Sequence, residues 1–303
     1  MRILYLGNNV RGARCLETIL EAGEQVAGVI AHPEPLRERP GESVKQIALD
    51  RGLPLLQPER INGAAARHWM VELEPDLGVL VGYNKILRQS VIDIPRLGCI
   101  NLHGGKLPEY RGAAPINWQL INGDTTGGCC VLYVDAGIDT GDIISQERFP
   151  IGLDDDAASV LARTLEIFPP MLTDALAAIR EGRVEREKQD PEVGCYYAKR
   201  YPQDGRIDWR FSTAKQVYDL VRALVPPYPG AFTYLGDEKV IVRRAALMSE
   251  EVRGAAGRVL LWRDDSAVVG TADRAVRIDL VESESLGQMA PRSFVGRLGV
   301  ELT

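Results

Sequence analysis

The sequence is poor in histidine, carries no excess of basic charge and has no long hydrophobic run. Three of its 303 residues are histidine, and the net charge is −6. A chain of this charge has no general attraction to the anionic backbone of DNA or RNA, so we expect no DNA partner. No apolar stretch reaches the roughly 18 residues of a membrane-spanning helix, and the start, MRILYLGNN, has no small-residue cleavage site. These absences argue against a membrane partner and against secretion.

Two motifs are also missing. The five cysteines form no CxxC pair, which predicts reduced thiols in the cytoplasm rather than a disulfide framework. The GxGxxG pattern of dinucleotide-binding domains is absent after the first apolar run, where the chain reads GNNVRG. What is present is an ordinary globular composition, with 45% hydrophobic and 26% charged residues, in a chain long enough for two domains or one large one.

Short apolar runs alternate with helical patterns in the first half of the chain. The runs at 77–81 and 97–102 are apolar on both faces, as the strands of a parallel sheet covered by helices must be. The predicted fold class is therefore α/β, an open, mostly parallel sheet with helices on both faces. Its binding site should lie in the loops after Val81 and Leu102. The other elements predicted here are strands at 2–6 and 25–30, a helix at 10–22, and a helix at 43–51 with Ser43 as its N-cap.

The pattern changes after a long helical stretch over 154–181 and the charged segment GRVEREKQD. Beyond Gly205 the sequence predicts one helix and several short strands, which is typical of a small β-barrel or sandwich. We therefore place a first domain at residues 1–190 and a second at 205–303. The elements predicted in the second are a helix at 212–224 and strands at 231–235, 239–243, 257–262, 267–271 and 275–280.

Polar side chains follow directly on the apolar run at 97–102. Asn101 and His103 are two residues apart, so in a strand their side chains share a face. Histidine is the side chain whose charge suits proton transfer near neutral pH. His32 and His68 have no comparable neighbours in the sequence. The alternative for His103 is a hydrogen-bonded structural histidine.

Three aspartates follow in the turn-rich segment DAGIDTGDI, namely Asp135, Asp139 and Asp142. Spacing alone does not choose among them, and a solvated acidic turn is the alternative.

The run NLHGGKLPEYRGAAPINWQLINGD, followed by GCCVLYVDAGIDTGDII, resembles the core signature of the folate-dependent formyltransferases. That family includes methionyl-tRNA formyltransferase and the sugar N-formyltransferases. MRILYLGNN, RGLPLLQPERIN, LVGYNKIL, GRIDW and VRALVPPYPGAFTYLGDEKVIV also look like family segments, in family order. The resemblance spans nearly the whole chain and is strongest to the formyltransferase domain of the lipid A aminoarabinose-modifying enzyme. It implies a Rossmann-like N-terminal domain, a C-terminal OB-like barrel, and 10-formyltetrahydrofolate as formyl donor without a metal.

The resemblance places the family's catalytic residues on Asn101, His103 and Asp139. Formyl transfer to an amine requires a proton to be removed and a developing oxyanion to be held. His103 would accept the proton, Asn101 would donate to the oxyanion, and Asp139 would orient the imidazole and favour its charged form.

In this family, backbone groups of two loops hold the folate ring. The resemblance assigns cofactor binding to Lys85, Ile86, Leu87, Asp135, Ala136, Gly137 and Ile138. For Ile86 and Leu87, the alternative is simple packing in the core.

Two positions depart from the family pattern. Gly105-Lys106 stands where a pair such as Ser-Leu is common, and Ala113 stands where the aminoarabinose enzyme has arginine. Gly105 indicates a close backbone approach to a ligand, and Lys106 or Arg111 could meet an anionic group such as a diphosphate. Solvated surface charge is the alternative for both cations. The predicted substrate-binding residues are Gly105, Lys106, Tyr110 and Arg111.

The predicted acceptor is the amine of a nucleotide-linked amino sugar. Methionyl-tRNA formyltransferases carry a longer basic insertion after the second strand, where this chain has the short, mixed-charge segment AHPEPLRERPGES. The C-terminal part is also about balanced in charge, which gives little attraction to phosphate. Both features argue against tRNA, and methionyl-tRNA formyltransferase is kept as the alternative. A formyltetrahydrofolate hydrolase is a third hypothesis, because water can replace the amine, and a homodimer through the C-terminal domain is a further one.

Overall fold

The structure is a computed structural model that describes residues 1–33, 43–296 and 299–303. Most of the mixed-charge segment at 31–43, on which the argument against tRNA partly rests, lies outside these ranges. The chain divides into two compact units. The first comprises Met1–Pro115, Gly127–Phe149 and Ala162–Tyr197, and the second comprises Ile116–Thr126, Pro150–Leu161 and Ala198–Thr303.

The elements follow one another along the chain as strands β1 to β15 and helices α1 to α8. In chain order they are β1 (Arg2–Gly7), α1 (Asn9–Glu21), β2 (Gln25–Ile30), α2 (Val44–Asp50), β3 (Leu55–Leu56), α3 (Ala64–Glu72), β4 (Leu77–Val81), α4 (Gln89–Ile92), β5 (Cys99–His103), β6 (Arg111–Gly112), α5 (Pro115–Ile121), β7 (Thr126–Tyr133), β8 (Ile143–Pro150), α6 (Ala157–Arg180), β9 (Tyr196–Tyr197), a 3-10 turn (Pro202–Gly205), α7 (Ala214–Ala223), β10 (Ala231–Leu235), β11 (Glu238–Ala246), β12 (Val259–Arg263), β13 (Ser266–Gly270), β14 (Ala275–Ser283), β15 (Gly287–Met289) and α8 (Pro291–Val295).

The first unit is built on a seven-stranded sheet in the order β3-β2-β1-β4-β5-β7-β8. Strands β3, β2, β1, β4 and β5 are parallel to one another, and β7 runs antiparallel to β5. Every residue of β4 is buried, as expected for a central strand covered on both faces. A cluster of buried side chains packs one face of the sheet, including Met70 of α3 and Ile92 of α4. The predicted α/β class is confirmed.

Two element boundaries differ from the prediction for identifiable local reasons. The strand predicted to begin at Leu97 begins at Cys99, because Gly98 adopts a left-handed φ of 80° in a turn. The helix predicted from Asp154 begins at Ala157. There the amide of Ser159 donates to Asp156 Oδ1 at 2.8 Å, and the Asp156 amide donates to Ser159 Oγ at 3.0 Å. This reciprocal pair satisfies backbone donors that the first turn leaves unpaired.

The second unit contains an antiparallel sheet in the order β10-β11-β14-β13-β12, with β15 added beside β14. The end of the chain joins its two edges. Thr303 exchanges backbone hydrogen bonds with Tyr234 of β10 at 2.8 and 3.0 Å, and Val259 of β12 bonds to Val300 and Gly299 at 2.9 Å each. Closure removes the unpaired edges of the sheet. The predicted antiparallel β domain is confirmed, and of the two forms that the sequence left open, barrel or sandwich, edges joined through the chain end correspond to a barrel.

In the described ranges, no helix has the length and apolar character needed to cross a membrane. All five cysteines are free, and four of them are buried. Burial raises the pKa of Cys15, Cys99 and Cys129 to about 12, which keeps these groups as neutral thiols.

Candidate active site

Strand β5 presents two polar side chains on one face of the sheet. Asn101 is partly buried and His103 is 5% exposed, while Leu102 between them is buried on the other face. Both reach one carboxylate: Asn101 Nδ2 donates to Asp139 Oδ1 at 3.3 Å, and His103 Nδ1 lies 3.5 Å from Asp139 Oδ2. Side-chain alternation along β5 places the amide and the imidazole on one face, and the turn between β7 and β8 brings the carboxylate to them.

Asp139 lies in the turn between β7 and β8, with a left-handed φ of 53°. Aspartate tolerates this conformation better than most residues with a side chain. Its Oδ2 also accepts a hydrogen bond from the backbone amide of Gly112 at 2.9 Å. Asp135, by contrast, uses Oδ1 within the turn, accepting from the Gly137 amide and Thr140 Oγ1. Of the three aspartates, Asp139 is thus the one that contacts Asn101 and His103 in the described residues.

Both ring nitrogens of His103 face oxygen atoms. Nε2 lies 2.6 Å from the carbonyl oxygen of Tyr110, and Nδ1 faces the Asp139 carboxylate. A neutral imidazole carries one N–H, so either tautomer leaves a lone pair directed at an acceptor. The two acceptors hold the ring in one orientation, and a single N–H can satisfy only one of them.

The residues predicted to contact the substrate have different surroundings. Lys106 is partly buried, with Nζ 5.3 Å from the ring centroid of Tyr110, and that ring stacks on Tyr197 at 4.8 Å. Gly105 is tightly enclosed by the protein itself. A Cβ there would lie 3.0 Å from His103 Nε2 and 2.7 Å from a carbon of Pro115. Packing beside the imidazole is therefore sufficient to require glycine at this position.

Arg111 has the most unexpected position of the predicted substrate-binding residues. Its side chain is 1% exposed, and its nitrogens donate to Gln189 Oε1 and to the carbonyl oxygens of Val193 and Asp190 at 3.0 to 3.1 Å. Neither a substrate contact nor a solvated charge describes this arrangement, because the guanidinium binds protein carbonyls in the interior. Arg111 holds the loop after β5 against the segment that follows α6.

Gly112 illustrates how tightly that loop is packed. Its φ is 98°, and a Cβ would collide with the carbonyl oxygen of Tyr197. Gly23 has a similar φ of 73°, but no heavy atom lies within 4 Å of the position that a Cβ would take.

We expect Gly23→Ala to lower the free energy of unfolding by about 1 kcal/mol, through backbone strain alone. We expect Gly112→Ala to lower it by about 2–4 kcal/mol, since strain and overpacking combine. Denaturant unfolding of both variants measures the difference, and equal losses would contradict the close contact.

The loop after β4 carries the first group of predicted folate-binding residues. Leu87 is buried in the core, whereas Ile86 is 65% exposed. In the described part of the chain, Lys85 Nζ donates to the carbonyl oxygens of Pro58 and Glu59, and Asn62 donates to the Ile86 carbonyl. Core packing thus accounts for the side chain of Leu87, and the hydrogen bonds of this loop are to residues 58–62 rather than to the triad.

The turn at 135–139 carries the second group. Ala136, Gly137 and Ile138 are exposed, and Ile138 has 47% of its surface accessible. Within the described residues, the backbone groups of Ala136 and Ile138 have no protein hydrogen-bond partner. Unpaired backbone donors and acceptors beside an exposed apolar side chain suit a flat heterocycle with a polar edge, such as a pterin. The assignment of these residues to the folate ring stays a prediction.

Metal ligands are not assembled in the same way. Across the ranges that the structure covers, no group of three or more His, Cys, Asp or Glu residues is placed to hold a metal ion. The expectation of a reaction without a metal stays a prediction.

Comparison with known proteins identifies the family. The family described as formyl transferase matches residues 34–176, and the one described as formyl transferase, C-terminal domain, matches residues 199–298. Methionyl-tRNA formyltransferase from Geobacter metallireducens is 34% identical over 306 residues, which cover 99% of this chain and 97% of that protein.

Two solved structures show the same fold. HypX from Aquifex aeolicus in complex with tetrahydrofolic acid has a TM-score of 0.65 at 22% identity, covering 98% of this chain and 47% of that one. The N-formyltransferase from Helicobacter canadensis, in complex with folinic acid and dTDP-3-aminofucose, has a TM-score of 0.67 at 19% identity, covering 92% of this chain and 98% of that one. The chain belongs to the formyl transferase family and is a folate-dependent formyltransferase that uses 10-formyltetrahydrofolate.

Proposed function

We propose that this enzyme transfers the formyl group to the α-amino group of methionyl-tRNA. The observation that carries the proposal is the collinear match, at 34% identity over 99% of the chain, to a methionyl-tRNA formyltransferase of nearly the same length. This match covers both units of the chain, not only the segment around the triad. It outweighs the argument from net charge, which concerns long-range attraction rather than local contacts.

The amine of a nucleotide-linked amino sugar is the second candidate acceptor. It is supported by the run HGGKLPEYRGAAPINW, which resembles the aminoarabinose enzyme, and by the net charge of −6. The solved sugar N-formyltransferase from Helicobacter canadensis is 19% identical, a level at which the likeness supports a common fold and does not choose an acceptor. The full-length relatives therefore favour methionyl-tRNA over the sugar.

The proposed chemistry assigns each member of the triad one task. 10-Formyltetrahydrofolate, when bound, supplies the formyl carbon. His103 takes the proton from the attacking amine as the new N–C bond forms and returns it to the folate nitrogen as the old N–C bond breaks. With Nδ1 directed at Asp139, the proton would be taken up and returned at Nε2, which faces the Tyr110 carbonyl oxygen at 2.6 Å and would exchange that contact for one with the substrate.

Asn101 would stabilise the negative charge that develops on the formyl oxygen. One hydrogen of its amide is directed at Asp139, which fixes the side-chain orientation. The second hydrogen is left to donate to the oxyanion. Asp139 serves both neighbours, since one carboxylate oxygen orients the amide and the other faces the imidazole.

A direct comparison of acceptors tests the proposal. Purified enzyme is given 10-formyltetrahydrofolate carrying a labelled formyl group, together with either methionyl initiator tRNA or a panel of nucleotide-linked amino sugars. We expect label to appear in the tRNA fraction, and the His103→Ala variant to supply the background. Labelling of a sugar without labelling of the tRNA would overturn the proposal in favour of the second candidate. Release of labelled formate without any acceptor would instead identify a hydrolase.

A further inference from the structure

A segment distant in sequence from the triad contacts two loops of the first unit, which we call the catalytic loops. One is the loop after β5, which contains Arg111 and Gly112, and the other is the turn between β7 and β8, which contains Asp139. We call residues 183–197 the return segment, because they follow α6 and run back along the sheet. Glu187 exchanges two backbone hydrogen bonds with Ile143 of β8, at 2.8 and 2.9 Å. At the far end, β9 pairs in parallel with β6, so that Arg111 and Gly112 lie opposite Tyr196 and Tyr197. The return segment is thus fixed at one end to β8, directly after the turn that contains Asp139, and at the other end to β6, in the loop that follows β5.

Gln189 lies between these two attachments and is partly buried. Its Nε2 donates to the carbonyl oxygen of Asp139 at 2.9 Å and to that of Gly141 at 2.8 Å. Its Oε1 accepts from Arg111 Nε at 3.0 Å. Both amide hydrogens and the amide oxygen therefore bind protein groups, and all of those groups belong to the two catalytic loops.

The orientation of this amide follows from its partners. Carbonyl oxygens can only accept and a guanidinium can only donate, so the NH₂ group must face Asp139 and Gly141 while the oxygen faces Arg111. Arg111 is itself fixed by the carbonyl oxygens of Asp190 and Val193. The chain of contacts runs from a buried arginine, through one amide, to the backbone on either side of the catalytic turn.

The backbone of Asp139 needs such support. Its φ of 53° lies in the left-handed region, which costs free energy for a residue with a side chain, although less for aspartate than for most. The contacts between the Asp139 carboxylate and the other two members of the triad are long, at 3.3 Å to Asn101 and 3.5 Å to His103. A small rotation of the turn would separate the carboxylate from both partners. The two hydrogen bonds from Gln189 oppose that rotation.

We infer that Gln189 is a positioning residue, which fixes the turn at 139–141 so that the Asp139 carboxylate faces Asn101 and His103. The inference rests on the proposed role of Asp139 in formyl transfer and is independent of which acceptor is used. Gln189 touches no reacting atom in this scheme. It acts on the backbone of a residue that does.

The test compares four variants in steady-state assays with whichever acceptor the wild-type enzyme formylates. Gln189→Leu removes the amide at nearly constant size, and Gln189→Glu keeps the oxygen for Arg111 but sets a carboxylate against two carbonyl oxygens. Asp139→Asn and the double variant Gln189→Leu with Asp139→Asn complete the set. Lys188→Ala is the control, because Lys188 is the exposed neighbour in the same segment.

We expect Gln189→Leu and Gln189→Glu to lower kcat by about 10- to 100-fold, with the KM for 10-formyltetrahydrofolate changed by less than about 3-fold. Lys188→Ala should match the wild type. The double variant should be no slower than Asp139→Asn, because a residue that acts through Asp139 has nothing further to position once that carboxylate is lost. Melting temperatures of all variants separate these effects from loss of fold.

Three results would overturn the inference. The first is a wild-type kcat in a folded Gln189→Leu or Gln189→Glu variant. The second is a double variant slower than Asp139→Asn by the full factor of Gln189→Leu, which would indicate an independent structural effect. The third is a wild-type kcat in Asp139→Asn, which would remove the residue to be positioned. None of these bears on the acceptor, since no Gln189 or Asp139 variant enters the acceptor comparison.

Discussion

Replacing His103 with alanine is expected to lower kcat by at least about 10²-fold while the protein stays folded. The ring is the one group of the triad that can take a proton from the amine and deliver it to the folate nitrogen near neutral pH. Its 5% exposure and two facing acceptors show that the side chain is held in one orientation rather than free in solvent. The loss should appear in kcat rather than in the KM for 10-formyltetrahydrofolate, because the ring acts in the proton-transfer step.

A second histidine provides the matched control. His68 lies in α3, where its Nε2 is 3.3 Å from an oxygen of Glu72 and about three quarters of the side chain is exposed. His68→Ala should leave turnover unchanged. Circular dichroism and thermal unfolding check the fold of both variants. Near-normal turnover in His103→Ala would remove this residue from the proton-transfer role and leave it as a structural histidine.

Asn101→Ala is expected to lower kcat by about 10²- to 10³-fold. Loss of an oxyanion-hole donor costs about 3–4 kcal/mol in other acyl-transfer enzymes, which corresponds to that range. The variant also removes a donor to Asp139, so the carboxylate loses one of the contacts that orient it. Single-turnover measurements at saturating 10-formyltetrahydrofolate isolate the chemical step from substrate binding.

The control for this variant is Asn122→Ala, because Asn122 is an exposed asparagine outside the triad. Turnover of Asn101→Ala within a few-fold of the wild type would show that another group holds the oxyanion. In that case the amide of Asn101 would serve only to orient Asp139, and Asp139→Asn should then be the slower of the two variants.

The positions of Asn101 and His103 could be predicted from the sequence, whereas the positions of other residues around the site could not. The pairing of Asn101 with His103 follows from strand alternation, a local property that an apolar run of the right length is enough to indicate. Short runs that are apolar on both faces predicted the buried strands of the sheet, and the helix N-cap at Ser43 followed from local hydrogen-bonding chemistry. Ser43 Oγ does accept a hydrogen bond from the Gln46 amide at 3.2 Å.

Charged residues were the hardest to place from sequence. A guanidinium in the run PEYRG could be solvated or could bind a substrate anion, yet Arg111 is buried against backbone carbonyls. Every residue has a backbone carbonyl group, so the pattern of side chains in the sequence does not predict where several carbonyl groups will lie close together. Gln189 shows the same difficulty, since it lies in a charged segment whose composition indicated only a change of domain.

The sequence by itself determined the sheet, the appended antiparallel domain, the pair Asn101 and His103, and, through family resemblance, the formyl donor. These depend on periodicity and on motifs that are contiguous in the chain. Family resemblance also placed the catalytic aspartate at Asp139, whose carboxylate does face the pair. Only the tertiary structure decided which contacts hold that carboxylate there, that Arg111 is internal, that Gln189 holds the catalytic turn and that the last residues close the barrel. Each of these involves partners between 27 and 82 residues apart in the chain. Contacts over such separations are set by how whole elements pack, which local patterns do not encode.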